Sequence, residues 1–456
     1  MTRRTHLIKP LLGMDYAVIS HGKGIYLYDE HGQPFIDGCS GAVTANIGHG
    51  VSEIKEAMVA QAEQVSFVYR SQFTSSSAEQ LAERLCQSAP GDLDWVFFVN
   101  SGSEAMETAL KIAVQYWQER GRPTKNRIIS RWMSYHGITM GALSMSGHVI
   151  RRSRFSTLLE HYPALSPPYC YRCSFQEHCP NCSKQYALEF EQTIHRLGAE
   201  TIAAFVCEPV IGASGGAVVP PEHYFKEMKA ICDRYDILFI ADEVMTGVGR
   251  TGKMYAMEHW GITPDILALG KGMSAGYTPM AATLVSDRII QEIERGSKVV
   301  LSGHTFSANP LSSAICLAVL DYIEKKDVVH NAERSGAVLM KGLKELQAQF
   351  PIIGDVRGLG LLTGIEFVQN HITKEPFTLQ HEVTNRFIRK CYEAGLLVYT
   401  AAGGLNGMAG DAVIVAPPLV IQESEVHLIL SKLNLALREL EKELEAEGLY
   451  VRRSIS

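Results

Sequence analysis

From about residue 78 onward, one alternation constrains this chain more than any other feature. Short apolar runs are followed by small-residue turns and then by stretches of helical character. The runs are Trp95–Val99, Arg127–Ser130, Ile202–Cys207, Ile237–Ala241, Ile266–Leu269 and Met280–Val285. They carry few polar residues, so both faces of the sheet they form must be covered. That is the signature of a mostly parallel sheet sandwiched by helices. Helices fit between them at Glu104–Arg120, Tyr186–Leu197 and Pro221–Tyr235. A further helix over about 307–324 opens on Ser-Ala-Asn-Pro, which supplies capping residues and an early proline.

The flanks have a different texture. Residues 24–37 read as a hairpin, two aromatic-rich stretches around a turn from Asp29 to Pro34. Beyond 325, helices over 329–349 and 379–394 surround short strands near 360–368 and 412–415. The expectation is an α/β domain over 61–324, with 1–60 and 325–456 forming a smaller α+β domain from both termini. A hydrophobic content of 46% in 456 residues is enough for such cores. The net charge of −6 has no long run of one sign, which argues against nucleic acid or an anionic membrane as a partner. No window approaches the roughly 20 apolar residues of a membrane helix. The two arginines near Met1 precede no apolar stretch of leader length. A cytoplasmic place is expected.

The chemistry-bearing residues sit where strands end, and carboxyl ends of parallel strands are where α/β proteins place ligands. Lys271 follows the run ending at Leu269 and stands between Gly270 and Gly272. A solvated lysine is the plain alternative. The run ending at Ala241 leads into Asp242 and Glu243. With a strand period of two, Asp242 and Val244 share one side and Glu243 takes the other. A carboxylate there can pair with a pyridinium nitrogen, and Val244 can pack against the ring. Asn100-Ser101-Gly102-Ser103-Glu104 is strand, turn, helix, an arrangement whose N–H groups and hydroxyls suit a phosphate as well as a plain helix cap. It lacks the Gly-Lys-Ser/Thr ending of a nucleotide loop. Tyr135 and His136 follow another strand, where an aromatic can stack on a ring. Glu208 ends a further strand, and Thr305 precedes the 307–324 helix with a spare hydroxyl. Each signal alone is weak. Together they meet the needs of pyridoxal phosphate.

The motifs Asn100-Ser-Gly-Ser-Glu-Ala, Tyr135-His-Gly, Ala241-Asp-Glu-Val-Met-Thr-Gly-Val-Gly-Arg-Thr-Gly, Leu269-Gly-Lys-Gly and His304-Thr-Phe-Ser-Ala-Asn-Pro occur in this order. With them the chain resembles the class III aminotransferases of fold type I over about residues 15–440. The resemblance implies a large domain built on a seven-stranded, mostly parallel sheet, and pyridoxal 5′-phosphate held as a Schiff base on Lys271. It also implies Asp242 on the ring nitrogen, Ser101, Gly102 and Ser103 at the phosphate, and Tyr135 stacked on the ring with His136 beside it. Glu208 would lie near the cofactor hydroxyl. Thr305 would reach the phosphate of a neighbouring subunit, in a homodimer with shared sites; a tetramer is left open. The implied activity is transfer of an amino group between an amine or ω-amino donor and a 2-oxo acid, aldehyde or ketone. The alternatives are an aminomutase or an amino-alcohol-phosphate lyase on the same scaffold, and a non-catalytic interaction protein.

The chain departs from the family pattern in three places. Ile414 stands where members that bind α-carboxylates carry an arginine, and no arginine occurs between Arg389 and Arg438. An apolar side chain cannot make the bidentate carboxylate contact. Val43 replaces a tryptophan common in amine-type members. The valine implies a roomier pocket at that wall; the favoured reading is a terminal-amine donor, and Arg70, Arg131 and Arg250 are left as candidates for the oxo-acid carboxylate. Finally, Cys170, Cys173, Cys179 and Cys182 form two Cys-x2-Cys pairs separated by five residues. Four thiolates at that spacing suit a structural zinc, with reduced cysteines, a disulfide or an iron–sulfur cluster as alternatives.

Overall fold

A computed structural model describes residues 6–176 and 182–451. Its centre is a seven-stranded sheet built from β4 (Trp95–Val99), β5 (Arg127–Arg131), β6 (Ala164–Leu165), β7 (Ile202–Cys207), β8 (Leu238–Asp242), β9 (Ile266–Leu269) and β10 (Ala281–Val285). Here β1 (Ile19–Lys23), β2 (Tyr26–Asp29) and β3 (Pro34–Ile36) precede them as a separate antiparallel sheet. The spatial order of the large sheet is β4-β10-β9-β8-β7-β5-β6. The pairs from β9 through β6 are parallel, and β10 runs antiparallel to both β4 and β9. β4 therefore points the same way as β9. The carboxyl ends of β4, β5, β7, β8 and β9 consequently open on one edge.

Burial explains why these runs are strands. Every residue of β7, β8, β9 and β10 is buried, as expected for a sheet covered on both faces. The Gly102–Glu119 helix lies across the sheet on a small-residue stripe of Ala105, Ala109 and Ala113. That stripe lets the backbone come close enough for Thr283 Oγ1 to donate to the Ala105 carbonyl at 2.8 Å. The helix predicted over 307–324 runs Pro310–Lys325, with Asn309 as its cap accepting from Ser312 N at 2.9 Å.

The C-terminal part carries a four-stranded antiparallel sheet of β11 (Ile353–Leu359), β12 (Leu362–Phe367), β13 (Tyr399–Thr400) and β14 (Asp411–Val415), in the order β11-β12-β14-β13. The end of β3 joins this region: Ile36 N donates to Gly395 O, and Leu397 N donates to Ile36 O, each at 2.9 Å. Among the described residues no helix is long and apolar enough to cross a membrane.

The four-thiolate zinc expectation is not met. Cys170 is disulfide-bonded, so its sulfur is not available as a thiolate ligand. Cys173 accepts a hydrogen bond from Tyr186 Oη, and Cys182 is buried at the start of the Cys182–Leu197 helix. Cys179 lies outside the described residues. Among those described, no group of three or more His, Cys, Asp or Glu side chains is arranged to hold a metal.

Candidate active site

The shared sheet edge opens into one cavity. It is lined from β4 by Gly102 and Ser103, from β5 by Tyr135 and His136, from β7 by Glu208, from β8 by Asp242 and Val244, and from β9 by Lys271. Eight of the sequence-predicted residues thus meet at one place, although they span 170 positions of the chain. Ser101 is not among the lining residues; its hydroxyl caps the Gly102–Glu119 helix, accepting from Glu104 N at 3.3 Å. Thr305 is exposed and stands outside this cavity.

Asp242 is buried at the end of β8. Its Oδ1 accepts from Val244 N at 3.1 Å, and its Oδ2 lies 2.8 Å from His136 Nδ1. His136 Nε2 is buried without a partner among the described residues. The alternation read from the sequence holds. Glu243 faces away and accepts from Ala256 N and Met257 N, which fastens the short helix Ala256–Trp260 behind the site. Burial pushes the Glu243 carboxyl up to about 7, against those two donors.

Lys271 follows β9 with a left-handed φ of 40°. Its amine is held down to about 8, chiefly by burial, while the negative charges of Asp242 and Glu208 oppose the shift. A neutral amine is thereby within reach near physiological pH. Glu208 is likewise pushed above the usual carboxylate range by burial. Its two oxygens accept from Tyr135 N at 3.0 Å and Gly212 N at 2.9 Å, so it ties the Tyr135 loop to the loop after β7.

The start of the Gly102–Glu119 helix meets the demands of a phosphate group. N–H groups in a first helical turn have no intrahelical partner, and they lie at the positive end of the dipole. Gly102 is required by packing: a Cβ there would meet Val244 Cγ1 at 2.6 Å. Gly137 has φ 134°, and a Cβ would meet Ser103 Oγ at 2.5 Å. Thr246 also lines the cavity, with a buried Oγ1 that has no partner among the described residues. An anion cradle, a buried carboxylate, an aromatic ring and a depressed amine in one cavity fit pyridoxal phosphate.

The opposite demand, carboxylate recognition, is not met where the sequence offered candidates. Arg131 and Arg250 are fully buried. Arg131 donates to Glu208 O and stacks on Tyr224. Arg250 donates to Leu361 O, Pro417 O, Ser40 Oγ and Asn46 Oδ1, tying four segments together. Arg70 is exposed and donates to Ser302 O. Ile414 and Val43 are buried in one apolar cluster with Ala213 and Met245, both of which line the cavity. Sequence reading missed Arg151, whose guanidinium sits 4.7 Å from the centre of the Tyr135 ring. No motif marks it. The pair is visible only once the chain turns back after β5.

A family model for class-III aminotransferases matches residues 12–437, and the chain belongs to that family. It is 50% identical to YodT of Bacillus subtilis, described as an uncharacterized aminotransferase, over 97% of this chain and all of that one. An (S)-enantioselective ω-transaminase from Thermomicrobium roseum superposes with a TM-score of 0.90 at 36% identity, covering 96% of each chain. An amine transaminase from an uncultivated Pseudomonas species, solved in its PLP-bound form, gives a TM-score of 0.90 at 35% identity, covering 96% of this chain and 100% of that one. The protein is a pyridoxal-phosphate-dependent transaminase of fold type I.

Proposed function

We propose that this transaminase takes its amino group from a terminal amine or ω-amino donor and passes it to a 2-oxo acid. The observation that carries the donor reading is the apolar cluster of Val43, Met245, Ala401 and Ile414, which reaches the cavity through Met245 and Ala213. An α-carboxylate of the donor has no cation to meet on that wall, whereas a methylene chain is accommodated there. Half-reactions with a panel of amines, followed by the cofactor's absorbance, test the reading. Conversion by α-amino acids alone would overturn it. An aminomutase or lyase reaction would instead release no pyridoxamine form for a 2-oxo acid to reoxidise.

Pyridoxal phosphate, when bound, supplies a conjugated ring that accepts the electron pair left at the substrate Cα. The remaining steps belong to the chain. Lys271 holds the cofactor covalently until substrate arrives. Its freed amine, whose ammonium form burial disfavours, would be placed to take the proton from the substrate Cα, helped by proximity within the cavity. Asp242, oriented by His136 and Val244 N, would keep the ring nitrogen protonated. Gly102 and Ser103 would hold the phosphate, with Ser101 setting the helix start. Tyr135 and Val244 would flank the ring, and Glu208 fixes the Tyr135 loop on that side of the cavity.

The proposal extends to assembly and place. Thr305 is exposed and does not line its own cavity, in a segment where Leu301 is 75% and Phe306 59% exposed. Phe306 meets the exposed Phe67 edge-on, with ring centres 5.8 Å apart, and Phe73 is also exposed. This apolar face suits a homodimer in which Thr305 reaches the second cofactor. The division at 60/61 and 324/325 into a large and a smaller domain, and a cytoplasmic location, belong to the same reading.

A further inference from the structure

The acceptor's carboxylate needs a cation, and nearly every arginine near the cavity is already engaged. Arg131 and Arg250 are fully buried, Arg131 donating to the Glu208 carbonyl and Arg250 to two carbonyls and two neutral side chains, so neither presents an accessible edge to an incoming carboxylate. Arg152 donates to the carbonyls of Leu143, Ser144 and Ser146. Its neighbour Arg151 is different. Among the described residues its guanidinium has no hydrogen-bond or ion-pair partner, and it rests over the ring of Tyr135, which lines the cavity.

The short helix Val149–Ser153 that carries Arg151 is well seated. Ile150 and Val149 pack against Gly403 and Gly407, where a Cβ would meet Ile150 Cδ1 at 2.2 Å and Val149 Cγ1 at 2.9 Å. Arg152 pins the helix to the turn before it. Arg151 is therefore presented from an anchored element, with five donors unspent and part of its surface open to solvent. Its charge is felt in the cavity: it is among the groups that disfavour the ammonium form of Lys271 and the neutral form of Tyr135.

We propose that Arg151 is the residue that binds the carboxylate of the 2-oxo-acid acceptor, in place of the arginine that the chain lacks at Ile414. A guanidinium stacked on an aromatic face keeps its edge free, so it can offer two parallel N–H groups to a carboxylate. An apolar donor would approach the same cavity without needing it. The inference rests on the transaminase reading above and names the acceptor-recognising group within it.

The test compares pyruvate with acetaldehyde, which has hydrogen in place of the carboxylate. It uses the cofactor-loaded wild type, Arg151→Met and Arg151→Lys, with one amine donor. Loss of a charge-assisted bidentate contact is expected to raise the KM for pyruvate about ten- to a hundredfold in Arg151→Met. Turnover with acetaldehyde and the amine half-reaction should stay near wild type. Arg151→Lys should recover part of the difference, since the charge remains but the fork is lost. Calorimetric titration with propionate, which cannot react, should show binding to the wild type and none to Arg151→Met. The assignment is overturned if pyruvate and acetaldehyde fall together, which would mark Arg151 as a brace for Tyr135, or if neither changes. A wild type that converts no amine at all would instead overturn the transaminase reading itself.

Discussion

At Lys271, burial and charge pull in opposite directions, and burial prevails. The consequence for stability has a definite sign. The lysine's folded pKa, near 8, lies below its unfolded value, so the unfolded chain binds more protons between the two. The cost is absent above about pH 10.5, grows as pH falls, and is complete below about 8. Cofactor-free Lys271→Met should accordingly melt higher than the cofactor-free wild type at pH 7, and the gap should close in scans near pH 10.5. On the proposed function the same substitution also removes the covalent anchor and the base. Transamination should fall by at least on the order of a thousandfold, measured in single turnovers. Asp242 was legible in the sequence as a carboxylate at a strand end, because a period of two separates it from Glu243. Arg151 was not legible. Sixteen residues separate it from Tyr135, and only the fold of the turn after β5 determines that they meet.

Strands and helices divide by how much of their identity lies in local pattern. β7, β8 and β9 are continuous apolar runs, so their sequence states their burial directly. β6 has two residues and owes its place to pairing with β5, which no window can show. β11 reads Ile-Gly-Asp-Val-Arg-Gly-Leu and looks like a loop. Its Arg357 is nevertheless drawn inward by the carbonyls of Gly215 and Gly216 and by the Glu366 carboxylate. The cysteine pairs carried several chemistries at one spacing, and the disulfide at Cys170 leaves no set of four thiolates. The junction of β4 with its helix yields a direct test. Gly102→Ala drives a Cβ into Val244 Cγ1, and overpacking of this kind costs about 1–3 kcal/mol. If Val244 is displaced into the cavity, the dissociation constant for pyridoxal phosphate in a spectral titration should rise, while the helix remains visible by circular dichroism.

For the whole molecule, the parallel sheet and the second, antiparallel sheet were foreseeable from the change in texture near residue 325. Their joint was not, since it is made by Arg250, which collects oxygens from residues 40, 46, 361 and 417. Burial holds its guanidinium down to about 9, which shows how completely it is withdrawn from water. The assembly reading makes a separate prediction. Light scattering should give twice the 50.3 kDa of one chain. Phe306→Asp should halve that mass, and Thr305→Ala should weaken cofactor retention without changing it. A wild type of single-chain mass that retains full activity would remove the shared-site reading.

The apolar cluster of Val43 and Ile414, which reaches the cavity through Met245 and Ala213, has a stereochemical consequence. A prochiral ketone carries two unlike substituents, and the cavity offers them unlike surroundings, Met245 and Ala213 of the apolar cluster against polar groups such as Glu208 and His136. On the proposed function Lys271 would deliver its proton from a single fixed position. A ketone bound with its larger hydrocarbon arm on that wall thus shows the lysine just one of its two faces. The amine that leaves should be of one hand, and swapping Ile414 for a polar residue of similar size should erode that enantiomeric excess before it erodes the rate.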